Sequence, residues 1–388
     1  MKGFKFKGIR AGIKKNNGMD LGIIFSERPA TAAALFTQNK VVAAPVVMGR
    51  ERIKKGLCQA IIVNSGNANC FTGKKGLEDA ENTALLAAKA LGIDSELVMV
   101  SSTGVIGAPL PMEKIEQGLP DLVRGMEPSC LEEFATAILT TDLAAKISTK
   151  KCRVKAGEFT ITGVAKGSGM IKPNMATMLS FIMTDLEISS ILLHSCLKKA
   201  CDRSFNRISV DGDTSTNDTV IAMANGMAGV SLDGDDICQF QTCLDEVLLD
   251  LSRMVVRDGE GATKLVKILV NGAKMPGDAL LAAQTIADSN LVKTAIYGED
   301  PNWGRIVAAA GRSGALLDQE ILDLRFGDVF LVKQGVWQGK GAEIEAAEIM
   351  KKREIEVVLD LHMGEFCDWY LFCDFSEDYV KINADYRS

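Results

Sequence analysis

The sequence predicts a layered α/β protein. Two observations lead to this fold class: short apolar runs suit strands buried on both faces, and they alternate with longer stretches whose apolar residues recur at helical spacing. At 388 residues, the chain is long enough for about two domains of ~150 residues each. We find no internal repeat and no proline- or serine-rich linker, so the two halves are expected to share one core.

In the first half, glycine-rich turns separate strands from helices. The strands are runs of aliphatic residues, and the helices carry alanine or leucine at every third or fourth position. Gly92 stands just after one such helical run, where a glycine commonly ends a helix. In order, the predicted elements are a strand at 59–63, a turn-rich loop at 64–69, a helix at 80–91, a strand at 97–100, a loop at 101–104, a helix at 130–140 and a hairpin around 155–158.

The second half repeats this alternation with longer helices. Apolar residues between Ile237 and Met254 trace one face of an amphipathic helix. The other predicted elements of this half are strands at 177–184, 264–271, 291–297, 354–361 and 367–373.

The composition excludes several classes of function. With 44 Lys+Arg against 50 Asp+Glu the net charge is −6, and no basic patch offers a site for nucleic acid. No apolar run approaches the ~18 residues of a membrane span. Ten cysteines form no Cys-x-x-Cys pair, which favours reduced thiols and a cytoplasmic protein. Since the only histidines are His194 and His362, a three-histidine zinc site is excluded, and we expect no bound metal.

Residues 166–180 carry the most chemical information. Two glycines and a proline precede Ala176 and Thr177, which open an apolar strand. One interpretation is an ordinary loop leading into a strand. The other is that Thr177 is a nucleophile, because a threonine hydroxyl can be activated by the free amine of its own residue. That amine exists only if the bond between Ala176 and Thr177 is cut, and attack by the Thr177 hydroxyl on the preceding carbonyl would cut it.

Several further segments carry a resemblance to a known family. They include the sequences Val-Asn-Ser-Gly-Asn-Ala-Asn, Ser-Ser-Thr-Gly-Val-Ile-Gly and Gly-Glu-Asp-Pro-Asn-Trp-Gly-Arg. Together they resemble the self-cleaving ornithine acetyltransferases, also called glutamate N-acetyltransferases, of arginine biosynthesis. The matching segments run in family order over nearly the whole chain, at 63–69, 101–107, 140–142, 166–170, 175–179, 210–218, 257–264, 298–305 and 381–388.

The resemblance implies an activity and a processing step. Cleavage between Ala176 and Thr177 would leave an α chain of residues 1–176 and a β chain of residues 177–388 that share one intertwined core. Thr177 would accept the acetyl group of N2-acetylornithine, release ornithine and pass the acetyl group to glutamate. No resident cofactor is implied. Some members also take the acetyl group from acetyl-CoA, and no residue here decides whether this chain does.

The resemblance also implies a set of site residues. Thr103 and Gly104 match the oxyanion hole of the family, although by residue type alone they suit a plain turn after a strand. The positions that match substrate-binding residues are Thr140 or Thr141, Lys166, Thr177, Glu260, Asn383 and Ser388. From sequence alone, Lys166 could equally be an exposed lysine and Glu260 a solvated turn residue.

The C-terminal position of two of these residues carries a further expectation. Asn383 and Ser388 lie where most chains fray, so that segment must be held in place if it lines a pocket. Tyr379, Val380 and Ile382 could anchor it as a strand.

For the fold, the resemblance implies a sandwich of two packed sheets flanked by helices, as in β-aminopeptidases, with a smaller second lobe. It also implies a heterotetramer of two α and two β chains. Two other hypotheses remain open at this point. One is an aminopeptidase or amidase with an N-terminal nucleophile on the same fold, and the other is an enzymatically silent protein that retains the fold.

Overall fold

The computed structural model describes residues 1–172 and 178–384. The chain divides into two compact units. Unit 1 comprises residues 1–206 and 213–255, and unit 2 comprises residues 207–212 and 256–388. The bond between residues 176 and 177 falls within the range of unit 1, so both predicted cleavage products contribute residues to that unit.

Strands and helices alternate along the chain. The strands are β1 (Phe4–Ile9), β2 (Leu21–Phe36), β3 (Leu57–Asn67), β4 (Val98–Val105), β5 (Lys146–Val154), β6 (Gly157–Lys166), β7 (Leu179–Thr184), β8 (Ile208–Ser209), β9 (Thr219–Ala224), β10 (Leu265–Ala273), β11 (Asp323–Phe326), β12 (Val329–Lys333), β13 (Val336–Trp337), β14 (Glu354–Asp360) and β15 (Phe366–Cys373). The α-helices are α1 (Ala44–Arg52), α2 (Gly73–Leu91), α3 (Met112–Arg124), α4 (Leu131–Ala137), α5 (Ser190–Asp202), α6 (Asp236–Arg257), α7 (Asp278–Ala287), α8 (Asn290–Tyr297), α9 (Trp303–Gly311), α10 (Lys340–Met350) and α11 (Glu377–Ala384).

Unit 1 is built on a mixed sheet that folds back on itself along β2. The strand order is β4-β3-β2-β9-β7-β6-β5, and β1 also pairs with β2. Asn64 of β3 and Thr219 of β9 pair with opposite ends of β2, at Leu21 and Phe36. Nevertheless Asn217, just before β9, donates a hydrogen bond to Ser102 of β4. The two arms of the sheet must therefore face each other.

Apolar side chains fill the space between the two arms. This core contains Ile61 and Val63 of β3 together with Phe181 of β7 and Ile221 of β9, all fully buried. On the outer face of the first arm, alanines of α2 and leucines of α3 pack against β3 and β4. On the other side, a side chain at Gly163 of β6 would touch residues of α6, so α6 covers the second arm. The result is helix, sheet, sheet and helix in layers.

Unit 2 contains its own sheet and core. Its strand order is β13-β12-β11-β14-β10-β15-β8, with parallel pairs between β10 and β14 and between β15 and β8. Helices α7 to α10 pack on this sheet around a core that includes Ile268, Val357 and Phe372. The predicted layered α/β architecture of two sheets flanked by helices is confirmed. None of the helices in the described ranges combines the length and apolar character that crossing a bilayer requires.

Most predicted elements are found, with shifted boundaries. The helix predicted at 80–91 is the end of α2, and Gly92 follows it with a left-handed φ of 70°. The amphipathic helix predicted between Ile237 and Met254 is α6. The strand predicted at 177–184 is β7, which begins at Leu179 in the described residues.

Two predicted strands are helices instead. Residues 291–297 form α8, because Ser289 caps the helix by accepting a hydrogen bond from Val292 N and because Val292, Ala295 and Ile296 share one buried face. The C-terminal strand expected around Tyr379 is α11. Glu377 and Asp378 lie in its first turn, where carboxylates suit the positive end of a helix.

Two predicted loops are largely strand. Residues 64–67 continue β3, and residues 101–105 continue β4. The small polar residues there were interpreted as turn formers. In the structure they pair across the two strands. The Ser102 hydroxyl donates to Asn64, whereas Ser101 Oγ has no hydrogen-bond partner within the described residues.

Candidate active site

Thr103 and Gly104 lie near the end of β4, beside β3. The strands run parallel, with Thr103 paired to Ser65 and Gly104 to Gly66, and the register shifts at Gly66 and Asn67. Gly104 has a φ of 131°, and a side chain there would come within 2.4 Å of the Gly66 carbonyl carbon. Only glycine fits this close approach. A bulge at this place redirects the groups that follow it, which is common beside active sites.

Buried amides hold the end of β4 in place. The Ser102 hydroxyl donates to Asn64 Oδ1 at 2.6 Å, and Asn64 Nδ2 donates to Asn67 O at 2.8 Å. Asn217 Nδ2 donates to Ser102 O at 2.8 Å. The predicted oxyanion-hole residues therefore follow directly on a rigid segment, as stabilising donors require.

Thr140 and Thr141 lie in the turn after α4. Ser65 Oγ donates to Ala137 O at 2.6 Å, which fixes the end of α4 against β3. Thr141 Oγ1 and Ser168 Oγ are 2.8 Å apart, so the turn also contacts the residues that follow β6. The Thr140 N–H donates to Asp142 Oδ2 at 3.0 Å. Of the two threonines, Thr141 has the side chain that contacts the loop of Lys166.

Asp142 is the centre of a buried charge cluster. Its side chain is fully buried and accepts from Lys146 Nζ and from the Gly167 N–H, each at 2.7 Å. Burial alone would raise the pKa of Asp142, but the charges of Lys166 and Lys146 and the hydrogen bonds lower it to about 2. Lys166, at the end of β6, is itself only 9% exposed. It is therefore not the exposed surface lysine that sequence alone allowed.

Lys14 is a further cation that sequence analysis did not identify. Its Nζ donates to Met19 O at 2.6 Å, and its side chain packs over Gly66. Burial lowers the pKa of Lys14, the carboxylates of Asp20 and Asp142 oppose this, and Lys166 lowers the pKa further. The end of β3, next to Gly104, is thus close to a group of lysines.

Asp218 is a buried carboxyl group next to this cluster. It is 2% exposed, and its Oδ2 has no hydrogen-bond partner within the described residues. Burial raises the pKa of Asp218 well above its usual range, and a hydrogen bond from Ser215 and the charge of Lys166 only partly oppose this. Burial thus favours the uncharged form of Asp218, which weakens its attraction for Lys166.

Glu260 and Asn383 meet in unit 2. Asn383 Nδ2 donates to Glu260 Oε2 at 2.8 Å, and Glu260 is buried rather than solvated. The Ser376 hydroxyl donates to Gly261 O at 2.6 Å, so the turn of Glu260 is tied to the start of α11. A side chain at Gly261 would lie 2.6 Å from Tyr379 N. Residues 377–384 thus lie against this turn as a helix, not as a strand.

Three predicted site residues, Ala176, Thr177 and Ser388, lie outside the described residues. Of the others, Thr103, Gly104, Thr141 and Lys166 belong to one network in unit 1, and Glu260 and Asn383 to another in unit 2. In residues 1–172 and 178–384, no three His, Cys, Asp or Glu side chains are grouped so as to hold a metal ion. The network in unit 1 offers fixed backbone donors beside several lysines, which suits an oxyanion and a carboxylate.

Comparisons with known proteins cover the whole chain. The model of the ArgJ family matches residues 5–388. The protein named arginine biosynthesis bifunctional protein ArgJ from Geobacter sulfurreducens is 48% identical over 391 residues, with 100% of both chains covered. The protein of the same name from Syntrophotalea carbinolica is 49% identical over 389 residues, with 100% of this chain and 99% of that one covered.

One solved structure is similar to part of the chain. It is the crystal structure of the arginine biosynthesis bifunctional protein ArgJ from Bacillus halodurans, which is 42% identical with a TM-score of 0.52. The match covers 54% of this chain and 99% of that chain.

Replacement of Asp142 tests the charge cluster. We expect Asp142→Asn to lower the free energy of unfolding by ~3–5 kcal/mol, because one charge of a buried ion pair is removed while Lys146 stays buried. Asp142→Asn/Lys146→Met should recover most of this loss. The wild-type contribution is present above pH ~4, the pKa of an unfolded aspartate, and is lost as the pH falls through about 2.

The measurement for Asp142 is denaturant unfolding followed by circular dichroism. Asp121→Asn is the control, since Asp121 forms an exposed ion pair with Arg124 and should change nothing measurable. Equal stability of Asp142→Asn and the wild type would contradict the role of the cluster.

Asp218→Asn should stabilise the folded protein at high pH, whereas Asp142→Asn destabilises it. Because the folded protein raises the pKa of Asp218, folding takes up a proton, and the wild type loses stability as the pH rises above ~4. The neutral amide does not titrate. We therefore expect the melting temperature of Asp218→Asn to exceed that of the wild type at pH 8, with a difference that shrinks towards pH 4 in scanning calorimetry. A difference independent of pH would show that Asp218 is ionised in the folded protein.

Proposed function

The chain belongs to the ArgJ family, and from this membership we propose that it is a glutamate N-acetyltransferase that moves the acetyl group of N2-acetylornithine to glutamate. Relatives that are about 48% identical over their whole length carry the name of an arginine biosynthesis protein. The observation that carries the proposal for this chain is local. Unit 1 brings the end of β4, the turn after α4 and the end of β6 into one network of hydrogen bonds and charges.

Self-cleavage between Ala176 and Thr177 is the first step of the proposal. The Thr177 hydroxyl attacks the Ala176 carbonyl carbon, the C–N bond breaks, and water hydrolyses the resulting ester to leave an α chain of 1–176 and a β chain of 177–388. The solved relative supports this step, because 99% of its chain is matched by only 54% of this one, about the share that residues 177–388 represent.

Acetyl transfer then proceeds through one ester. The Thr177 amine takes the proton of its own hydroxyl, whose oxygen attacks the acetyl carbonyl of N2-acetylornithine. The Thr103 hydroxyl and the Gly104 N–H donate hydrogen bonds to the oxyanion that forms. The C–N bond breaks and ornithine leaves with the proton. Glutamate then attacks the acetyl-Thr177 ester through its amine and leaves as N-acetylglutamate, which frees the hydroxyl for the next cycle.

Lys166 binds the carboxylate that both substrates share. The hydrogen bonds of Asp142 go to Lys146 and to the N–H groups of Thr140 and Gly167, and burial favours the uncharged form of Asp218. Lys14 and Lys146 add positive potential around it. Thr141 shapes the same pocket through Ser168. In unit 2, Glu260 and Asn383 are further proposed substrate-binding residues, and Asn383 donates a hydrogen bond to the Glu260 carboxylate.

The proposal extends to the assembly and the location of the protein. It includes Ser388 as a substrate-binding residue, a heterotetramer of two α and two β chains, and a place in the cytoplasm. The relatives are named bifunctional, so we also propose that acetyl-CoA serves as a second acetyl donor. No resident cofactor takes part in the proposed steps.

Replacement of Thr177 tests the nucleophile. Thr177→Ala should remain one full-length chain and lose acetyl transfer, since no hydroxyl remains to attack, whereas Thr177→Ser should still be cut in part. Denaturing electrophoresis and mass spectrometry measure the cut. Thr149→Ala removes an exposed threonine of β5 and should be processed like the wild type. Cleavage of Thr177→Ala at the same bond would rule Thr177 out.

The acceptor requirement separates acetyl transfer from hydrolysis. With N2-acetylornithine alone, a transferase should release about one ornithine per Thr177 and then stop, because the ester waits for an acceptor. Addition of glutamate should restart release, and acetyl-CoA with glutamate should yield N-acetylglutamate without N2-acetylornithine. Continuous ornithine release without glutamate would favour the aminopeptidase-like hypothesis. Absence of any release from folded, processed protein would favour the silent one.

A further inference from the structure

The segment before β9 is fixed by hydrogen bonds on several sides. Thr37 Oγ1 donates to Ser215 O at 2.8 Å, and the Ala43 N–H donates to Thr216 O at 3.0 Å. The Thr37 N–H donates to Asp218 O at 3.0 Å. The backbone around Asn217 therefore has little freedom, and the side chain of Asn217 starts from a fixed point.

The amide of Asn217 connects this segment to two other parts of unit 1. Its Nδ2 donates to Ala68 O at 2.6 Å and to Ser102 O at 2.8 Å, while its Oδ1 accepts from Thr216 Oγ1 at 2.6 Å. Asn217 is only 6% exposed. Both hydrogen bonds donated by the Asn217 amide thus go to main-chain carbonyl groups. One of these, the Ser102 carbonyl, directly precedes Thr103.

The bond to Ser102 O fixes more than one atom. The Ser102 carbonyl and the Thr103 N–H belong to the same planar peptide unit, so a hydrogen bond to one sets the orientation of the other. The next peptide unit joins Thr103 to Gly104, whose φ of 131° fits only glycine. The pairing of β3 with β4 is irregular at Gly66 and Asn67. The backbone hydrogen bonds between these strands therefore do not by themselves fix the chain at Thr103 and Gly104.

We propose that Asn217 is a positioning residue that orients the Thr103–Gly104 oxyanion hole through its hydrogen bonds to Ser102 O and Ala68 O. This inference rests on the proposed function, in which Thr103 and Gly104 stabilise the oxyanion. Asn217 does not touch the substrate. It acts by holding the donors in the geometry that the transition state requires, where a displacement of ~1 Å can lower the rate about 100-fold.

The test is the kinetics of acetyl transfer by Asn217→Ala, with rates normalised to the cleaved fraction measured by mass spectrometry. We expect kcat to fall on the order of 100-fold while KM for N2-acetylornithine stays within about twofold, because the hole contacts the transition state more than the ground state. Unchanged kcat, or a loss confined to KM, would overturn the proposal.

Thr219→Val is the matched control. It removes the hydrogen bond from Thr219 Oγ1 to Asn217 O at 2.9 Å, in the same buried segment, and leaves both bonds donated by Asn217 Nδ2 intact. We expect its kcat to stay within about threefold of the wild-type value. A loss equal to that of Asn217→Ala would mean that any damage to the segment lowers kcat, which contradicts a specific role of the amide.

A double-mutant cycle with Thr103→Ala asks whether the two residues act together. If Asn217 acts through the hole, Asn217→Ala/Thr103→Ala should be about as slow as the slower single variant, whereas independent effects would multiply. Multiplying effects would overturn the proposal.

Asn217→Asp covers the case in which the alanine variant does not fold. It keeps the shape of the side chain, and burial should keep part of the new carboxyl group protonated and able to donate one hydrogen bond. We expect its kcat, relative to the wild type, to rise as the pH is lowered, and a constant ratio would contradict the proposal. If the wild type transfers no acetyl group, the proposed function fails, and the same variants are compared by the rate of self-cleavage instead.

Discussion

Asp142 joins three separate parts of unit 1. Its carboxylate accepts from the Thr140 N–H in the turn after α4, from Lys146 at the start of β5 and from the Gly167 N–H after β6. An anion without water needs such donors to remain charged, and here two are close in the sequence while the third, Gly167, lies 25 residues away beyond a hairpin. The positions of Thr141 and Lys166 both depend on this one buried charge.

Several lysines lie around the carboxylate of Asp142. The lysines at 14, 146 and 166 act on the carboxylate of Asp142 or on one another, while burial raises the pKa of a second carboxyl group, Asp218. The pKa values of these two acids are thus shifted in opposite directions, one by hydrogen bonds and cations and the other by lack of solvent. This grouping of lysines is local, since the chain as a whole carries a net charge of −6.

The sequence predicted the fold class and most elements because periodicity reports which face is buried. The prediction of secondary structure was wrong where residue types that are typical of turns or strands occur in another kind of element. The small polar residues at 64–67 and 101–104 were interpreted as turn formers, yet they pair as strands because Asn64, Ser102 and Asn217 satisfy one another inside the protein. The serine that caps α8 was present in the sequence but was outweighed by the β-branched residues after it.

The proposed site could be predicted only as far as the family resemblance reaches. Thr103, Gly104, Lys166, Glu260 and Asn383 stand in segments that match family motifs. Lys14 and Asp218 do not, since their character comes from burial and from neighbours distant in the chain, which only a three-dimensional structure supplies. No pattern in the sequence indicates that the side chain of Asn217 donates a hydrogen bond to the Ser102 carbonyl, just before Thr103.

The pairing of β6 with β7 has a consequence for the stability of a processed molecule. Six residue pairs, from Ile161–Thr184 to Lys166–Leu179, join strands that stand on opposite sides of the proposed scission, and β9 flanks β7 on its other edge. A nick there leaves the ladder intact, so the two polypeptides stay associated without any covalent link. Their reassembly after denaturation, by contrast, becomes a bimolecular event that depends on concentration, and processing would make folding effectively a one-way process.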